Sequence, residues 1–176
     1  FGIYSDKACT DLITQMPATD ANGASEVEFV KTQDTVYLKE ISVPQGYKLN
    51  TASFNVALVP GKTTSVAVTN QEQKGKITVR KNGEVLTGVT GEAGNLSFVY
   101  ENSVYAGAKY TVYAAEDIKA ADGVSEDYYK ADDLVGSIIT DDTGIAQLGD
   151  LPVGKYYVKE VATVHGYVLD DEPVPF

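Results

Sequence analysis

The chain has 176 residues, a formal net charge of −11, a hydrophobic content of 43% and 12 tyrosines. This length accommodates one large domain or two small ones, and the composition is that of a folded core rather than of a disordered segment. The acidic excess argues against nucleic acids and anionic membrane surfaces as partners, and the sequence has no apolar run long enough to span a membrane.

Short segments of alternating apolar and polar residues, bounded by Gly, Pro, Asn and Asp, predict a β-strand chain with almost no helix. The strands predicted in the first part of the chain are residues 1–4, 26–30, 36–40, 52–58 and 65–70. Residues 9–16 are expected to be irregular, and residues 19–23 to form a turn. Cys9 is the single cysteine, so it has no partner for an intrachain disulfide, and we expect it to be buried.

A polar connector at residues 71–75 predicts a boundary between two domains, residues 1–72 and residues 73–176. The strands predicted in the second part are residues 76–81, 96–100, 110–114, 134–140, 145–148 and 156–160. Between these strands we expect one helical turn at residues 115–120 and two inserted loops, residues 83–106 and 120–133.

A stretch of the first domain occurs again in the second. It reads VYLKEISVPQGY at residues 36–47 and YYVKEVATVHGY at residues 156–167. The similarity extends further, because residues 1–4 match residues 110–113. The second copy contains about a dozen extra residues, which loops accept at little cost. The repeat and the many short strands predict an all-β fold of two tandem β-sandwiches.

Each repeat carries a glutamate, Glu40 or Glu160, at the end of a predicted strand. Side chains alternate across a strand, so each glutamate shares the face of the apolar residues two and four positions earlier. The lysines beside them, Lys39 and Lys159, are expected to face water. A carboxylate that points into a core is unfavourable unless it is paired or protonated, so these two positions suggest a function.

Two more polar residues end apolar strand faces on either side of the domain boundary. Asn70 shares a face with Val66 and Val68, and Lys81 shares a face with Ile77 and Val79. Such a residue on its own is more often at the rim of a core with its polar end in water. The joint pattern of a lysine, an asparagine and two glutamates favours a common chemistry.

These motifs, in this order, resemble the Cna B-type (SpaA-like) isopeptide-forming domains of Gram-positive pilins and surface adhesins. The resemblance rests on four features. They are a first strand that ends in lysine (ITVRK, residues 77–81), an inner strand GAKYTVY (residues 107–113), the repeated Lys-Glu to Gly-Tyr stretch, and a last strand that ends VAVTN (residues 66–70). Val164 departs from the family, which usually has proline there, but it affects the turn and not the chemistry. The resemblance covers nearly the whole chain and implies immunoglobulin-like, prealbumin-like β-sandwiches.

The resemblance also implies that each domain forms one bond between a lysine and an asparagine side chain. Burial among apolar side chains lowers a lysine pKa, which would make Lys81 a nucleophile, and Asn70 is an expected acceptor. Glu40 and Glu160 are the expected catalytic residues, protonated and hydrogen-bonded to the asparagine carbonyl. The reaction occurs once per domain and implies no cofactor or metal, so we do not expect an enzyme with turnover.

Neither predicted domain contains all three of these residues. The first has Glu40 and Asn70 but no preceding strand that carries a lysine. The second has Lys81 and Glu160, and its acceptor would fall near position ~190 if strand lengths repeat. We therefore expect the 176-residue chain not to close these bonds unless strands come from elsewhere, with one outer strand missing from each sandwich.

Two functions are compatible with these features. The first is a structural stalk or pilin module of a cell-wall-attached, Gram-positive surface protein, whose partners are neighbouring domains or subunits, including by strand complementation. The second is an adhesin that binds a host matrix protein or glycan through the two inserted loops, with Tyr128 and Tyr129 as candidate contacts. Both imply an extracellular location.

Other chemistry has less support in the sequence. The acidic turns at Asp20 and Asp141 are compatible with calcium ligands, but turn formation alone explains these residue types. His165 lies in a predicted turn with no nucleophile beside it, so a hydrolase triad is not indicated.

Overall fold

The computed structural model describes residues 1–30 and 32–176, and these residues form twelve β-strands and no helix. The chain divides into two compact units, Phe1–Gln73 and Lys74–Phe176, so the division lies one residue from the predicted boundary. No helix in the described part of the chain is long and apolar enough to cross a membrane. The prediction of an all-β fold is confirmed.

The first unit contains one four-stranded antiparallel sheet. Its strands are β1 (Gly2–Tyr4), β2 (Leu12–Gln15), β3 (Thr35–Lys39) and β4 (Ser53–Ala57), in the order β2-β1-β3-β4. Val36 and Leu38 alternate along β3 and enter a core with Ile3 and Val56. Because β3 is an inner strand, the residue that follows it, Glu40, lies at the end of the buried face.

The second unit contains two sheets around one core and a separate two-stranded ribbon. One sheet pairs β5 (Lys74–Arg80) with β10 (Ile145–Pro152). The other has the order β12-β11-β8-β9, formed by β8 (Lys109–Ala114), β9 (Leu134–Ile139), β11 (Tyr156–Ala162) and β12 (Val174–Pro175). The ribbon pairs β6 (Asn82–Glu92) with β7 (Asn95–Val104). Ile77 and Leu151 of the first sheet share the core with Val112 and Val158 of the second, as expected for a β-sandwich.

Two predicted strands of the first unit, residues 26–30 and 65–70, are not strands. Their inward side chains still pack against the core, as Val27, Phe29 and Val68 do. A strand needs a neighbour for its backbone hydrogen bonds. In the second unit β5 is that neighbour for β10, and no described residue of the first unit forms a counterpart of β5. The alternating pattern therefore predicted these core contacts, but it was wrong for Val66, which is 37% exposed, and wrong about the hydrogen bonding.

Three further predictions were wrong. Residues 9–16 are not wholly irregular, because β2 pairs with β1. Residues 115–120 form no helical turn, since Ile118 makes an extended bridge to Tyr129. The inserted loop at residues 83–106 is mostly the β6–β7 ribbon. Glycines within β6 and an extra residue, Thr87, interrupt the alternation that would have revealed this strand.

Two stacked tyrosines fix the base of the ribbon. The rings of Tyr105 and Tyr167 lie 4.4 Å apart between centroids, and the Tyr167 hydroxyl donates a 2.9 Å hydrogen bond to the Glu84 carbonyl oxygen. Gly83 lies against this stack. A Cβ at Gly83 would come within 2.3 Å of Tyr167 Cε1 and 2.7 Å of Tyr105 Cε1. This position therefore requires glycine.

Gly83→Ala is expected to lower the free energy of unfolding by about 1–3 kcal/mol, because the new methyl group forces the stacked tyrosines apart. Gly88→Ala is the matched control, since a Cβ at this ribbon glycine would meet nothing closer than 3.9 Å. Urea unfolding of both variants measures the difference. Equal stability of the two variants would show that the tyrosine stack does not hold the ribbon.

Candidate functional site: a buried glutamate in each unit

Glu160 is one of the few buried charged residues in the described part of the chain, with 3% of its surface exposed. It lies on β11 and accepts three hydrogen bonds. Lys81 Nζ and the Asp170 backbone N–H each donate to Oε2 at 3.1 Å, and the Tyr110 hydroxyl donates to Oε1 at 3.3 Å. The structure therefore brings together the predicted nucleophile and the predicted catalytic glutamate of the second unit.

Tyr110 reaches Glu160 because the two residues are opposite each other on neighbouring strands. They are a register pair of β8 and β11, and opposite residues of an antiparallel pair share a face. Burial, together with the charge of Glu160, raises the pKa of Tyr110 to about 12, so the hydroxyl keeps its proton and remains a donor. In the sequence Tyr110 is part of a motif and is not assigned to the site. Its place on the inward face of a predicted strand is the signal that could have identified it.

The pKa of Lys81 is raised, and the prediction that it would be lowered was wrong. Burial favours the neutral amine and is the largest single influence, but it is outweighed by the hydrogen bond to Glu160 together with the electrostatic influences of Tyr110, Glu160 and Tyr105, in that order. The side chain of Lys81 is 20% exposed, so its removal from water is incomplete. In this state Lys81 and Glu160 form an ion pair.

An open groove of about 300 Å³ runs alongside this ion pair. One wall is the end of β5, from Thr78 to Arg80, with Lys81 directly after it, and the other is formed by β11 and by residues 170–176. Lys81, Tyr110 and Glu160 all line it. The groove thus lies between the first strand of the sandwich and its last described strand, β12, and gives access to the amine.

Glu40 occupies the equivalent position in the first unit, with 4% of its surface exposed. Its Oε2 atom accepts 2.7 Å hydrogen bonds from the Asn50 backbone N–H and from Asn70 Nδ2. Asn70 Nδ2 also donates to the Lys48 carbonyl oxygen at 3.1 Å. The structure therefore brings together Glu40 and the predicted acceptor, Asn70.

The orientation of Asn70 differs from the one predicted. Its amide nitrogen donates to Glu40, whereas the resemblance implies a protonated Glu40 that donates to its carbonyl oxygen. Rotation about the last side-chain bond of Asn70 would exchange the two ends of the amide and present its oxygen to the glutamate.

The two sites share one framework. In each, a backbone N–H ten residues after the glutamate, that of Asn50 or Asp170, donates to Oε2. They differ at the position opposite the glutamate, where Tyr110 of the second unit corresponds to Phe1 of the first. Phenylalanine has no hydroxyl, so only the second site has this donor. Each site contains the glutamate and a different one of its two expected reaction partners.

The remaining candidate residues have structural explanations. The Asp20 and Asp141 carboxylates accept hydrogen bonds from backbone N–H groups of their own turns. Among the residues the structure describes, no group of three or more His, Cys, Asp or Glu side chains could hold a metal ion. Cys9 is half-buried rather than buried. Tyr129 packs against the core, whereas Tyr128 is 39% exposed.

Comparisons with known proteins agree with the fold. The family model of the SpaA prealbumin-like fold domain matches residues 1–72 and 100–176. The Bacillus anthracis TIE protein is a similar solved structure, with a TM-score of 0.54 and 23% sequence identity, over 81% of this chain and 22% of that chain. No curated protein matches. At this identity the structural likeness concerns the fold alone.

Proposed function

The chain belongs to the family of SpaA prealbumin-like fold domains, and on that premise we propose that it is a structural stalk or pilin module stabilised by Lys–Asn isopeptide bonds. One observation carries the proposal. Each unit has a buried glutamate at the same position of the repeat, hydrogen-bonded to Asn70 in one unit and to Lys81 in the other. If the two glutamates served only to form structural ion pairs, the presence of an asparagine at one site and a lysine at the other would have no explanation.

The chemistry begins when a last strand with an asparagine fills the groove of the second unit. The strand removes the remaining water from Lys81, which strengthens the influence that already favours its neutral form. A proton then passes along the 3.1 Å contact from Lys81 to Glu160, leaving a free amine beside a carboxylic acid. Tyr110 holds the other carboxyl oxygen, so the acid presents its proton towards the groove.

The amine then attacks the side-chain carbonyl carbon of the asparagine. A C–N bond forms, the acid gives its proton to the amide nitrogen, which leaves as ammonia, and the resulting carboxylate takes a proton from the attacking nitrogen. Glu160 ends as the carboxylic acid, and the proton that it first received from Lys81 is released to water or to the departing ammonia. Placement in one groove supplies a high effective concentration for a reaction that occurs once.

A strand peptide tests this chemistry. The peptide TTSVAVTNQ copies residues 63–71, the segment that carries Asn70 in the first unit, and contains no lysine. Incubated with the chain, it is expected to add its own mass minus one ammonia, with the new bond at Lys81. Intact-mass and fragment spectra measure both.

Two controls make the outcome specific. The peptide with Asn70→Ala and the chain with Lys81→Arg are each expected to give no adduct, and fluorescence anisotropy with a labelled peptide measures binding separately. Binding without a bond would contradict the chemistry. Absence of binding would contradict the assignment of the groove to a strand.

The same proposal places the module outside the cell, on the cell wall of a Gram-positive bacterium, with adjacent domains or subunits of its own surface protein as partners. Domains of this family are typical of bacterial surface proteins. A Lys–Asn bond between first and last strands restricts the unfolded chain as a disulfide does, but it is not cleaved by reductants. That property suits a protein with a single cysteine.

A second candidate function is binding of a host protein or glycan by the inserted segments of the second unit. The β6–β7 ribbon supports it, because several of its large apolar side chains are exposed and residues 73–99 lie outside the family match. Deletion of residues 84–102 followed by binding to an array of matrix proteins tests it. Unchanged binding, or none by either form, would exclude the ribbon as a host-ligand site.

A further inference from the structure

The β6–β7 ribbon has one strongly apolar face. The strands pair Leu86 with Tyr100 and Val89 with Phe98, and paired residues of an antiparallel ribbon share a face. Leu96 continues the row two residues before Phe98. These five side chains, here called the ribbon face, have exposed fractions between 47% and 57%.

The opposite face of the ribbon is more polar. It carries Thr90, Ser97 and Glu101, with Val85 and Val99 as its apolar members. The contacts found between the ribbon and the body of the second unit lie at the ribbon's base, where Gly83 and Glu84 meet the two stacked tyrosines and Val104 lies against Gly144. The ribbon face is therefore uncovered, and an isolated two-stranded ribbon is only marginally stable in water.

The size of the ribbon face suits one identical partner. The five half-exposed side chains of the ribbon face together present on the order of 500 Å² of accessible surface. Two such faces in contact would bury about 1,000 Å², which is the lower limit for a specific protein interface. An interface of this size predicts a weak, concentration-dependent dimer.

Charge also favours a second copy in one particular orientation. Residues 82–104 contain three glutamates and no lysine, arginine or histidine. Glu92 and Glu101 belong to the opposite face, so the centre of the ribbon face carries no charge, and only Glu84 lies on the same side, near the base. Antiparallel packing about a two-fold axis places each Glu84 near the tip of the partner, where Glu92 belongs to the opposite face, whereas parallel packing would bring the two Glu84 residues together on the same face.

We propose that the ribbon face is an interface between two copies of this chain, packed face to face and antiparallel. The interaction is independent of the isopeptide chemistry, because it uses none of the residues around Glu40 or Glu160. It would join modules side by side, as lateral association of stalks requires. Both copies are acidic, so salt strengthens the dimer by screening their repulsion.

Sedimentation equilibrium of the full chain, in reducing buffer so that Cys9 cannot link copies, tests this inference. We expect a monomer–dimer equilibrium with a dissociation constant in the micromolar range, and tighter association at high salt. Phe98→Ser is expected to weaken dimerisation at least about tenfold, because a central aromatic anchor is lost.

Val89→Ser and Val99→Ser form a matched pair, since both replace an exposed valine of the ribbon but on opposite faces. Val89→Ser is expected to weaken the dimer, and Val99→Ser to leave its dissociation constant within about twofold. Circular dichroism verifies that each variant is folded. A chain that stays monomeric at high concentration and high salt would overturn the proposal, as would a dimer that Phe98→Ser does not weaken. Binding of a host protein by such a monomer would reassign the ribbon face to that partner.

Discussion

Replacing Glu160 with glutamine is expected to slow bond formation at Lys81 by at least about 100-fold. Glutamine has nearly the same size and keeps an oxygen that accepts hydrogen bonds, but it can neither take the proton of Lys81 nor supply one to the leaving amide. The strand peptide should therefore still bind in the groove while the adduct accumulates far more slowly. A time course of intact masses measures the rate.

Glu172→Gln is the matched control for this variant. Glu172 is an exposed carboxylate that lines the same groove, so its replacement changes the charge beside the peptide without touching the proton transfer. The rate of bond formation at Lys81 in the Glu172→Gln variant should remain within about twofold of the rate in the original chain. Equal rates for the Glu160→Gln variant and the original chain would remove Glu160 from the reaction and leave it a structural partner of Lys81.

Tyr110→Phe is expected to change how stability depends on pH. The pKa of Tyr110 is raised from 10.0 to about 12, so the folded state holds this proton more tightly than the unfolded state does. That contribution is fully present below pH 10 and is lost as the pH rises through about 12, and the raised pKa of Lys81 acts in the same direction. For Tyr110 the loss amounts to about 2–3 kcal/mol.

The variant should therefore be less stable than the original chain at neutral pH and fall less steeply above pH 10. At neutral pH it loses the hydrogen bond to Glu160, worth about 1 kcal/mol. Above pH 10 it has no phenol to ionise, so the two stability curves should converge and then cross as the pH approaches 12. Urea unfolding at a series of pH values measures both. Parallel curves throughout the alkaline range would show that burial of Tyr110 does not hold its proton.

The strand alternation in the sequence was sufficient to predict that the two glutamates, Asn70 and Lys81 face inward, whereas the resemblance to the family implied that they act together. Glu40 and Glu160 were assigned inward from the residues two and four positions before them, and both are buried in the structure. The same rule placed Asn70 and Lys81 on inward faces, and each contacts its glutamate. A period of two residues is a local property, so local sequence reveals it.

The errors concern properties that depend on a neighbour in space. Residues 26–30 have the alternation of a strand. In the second unit β5 pairs with β10, but no described residue of the first unit forms a strand equivalent to β5, so residues 26–30 have no strand to pair with. The pKa of Lys81 depends on how closely Glu160 approaches and how much water remains, which apolar neighbours in sequence do not specify. The partnership of Tyr110 with Glu160 likewise depends on the register of β8 and β11.

The intact mass of the 176-residue chain, purified without any added peptide, tests most directly the claim that each unit holds only part of a reactive set. We predict the mass that the amino-acid sequence dictates, because among the described residues Glu40 contacts an acceptor without an amine and Glu160 contacts an amine without an acceptor. Loss of one ammonia per unit in the isolated chain would contradict it.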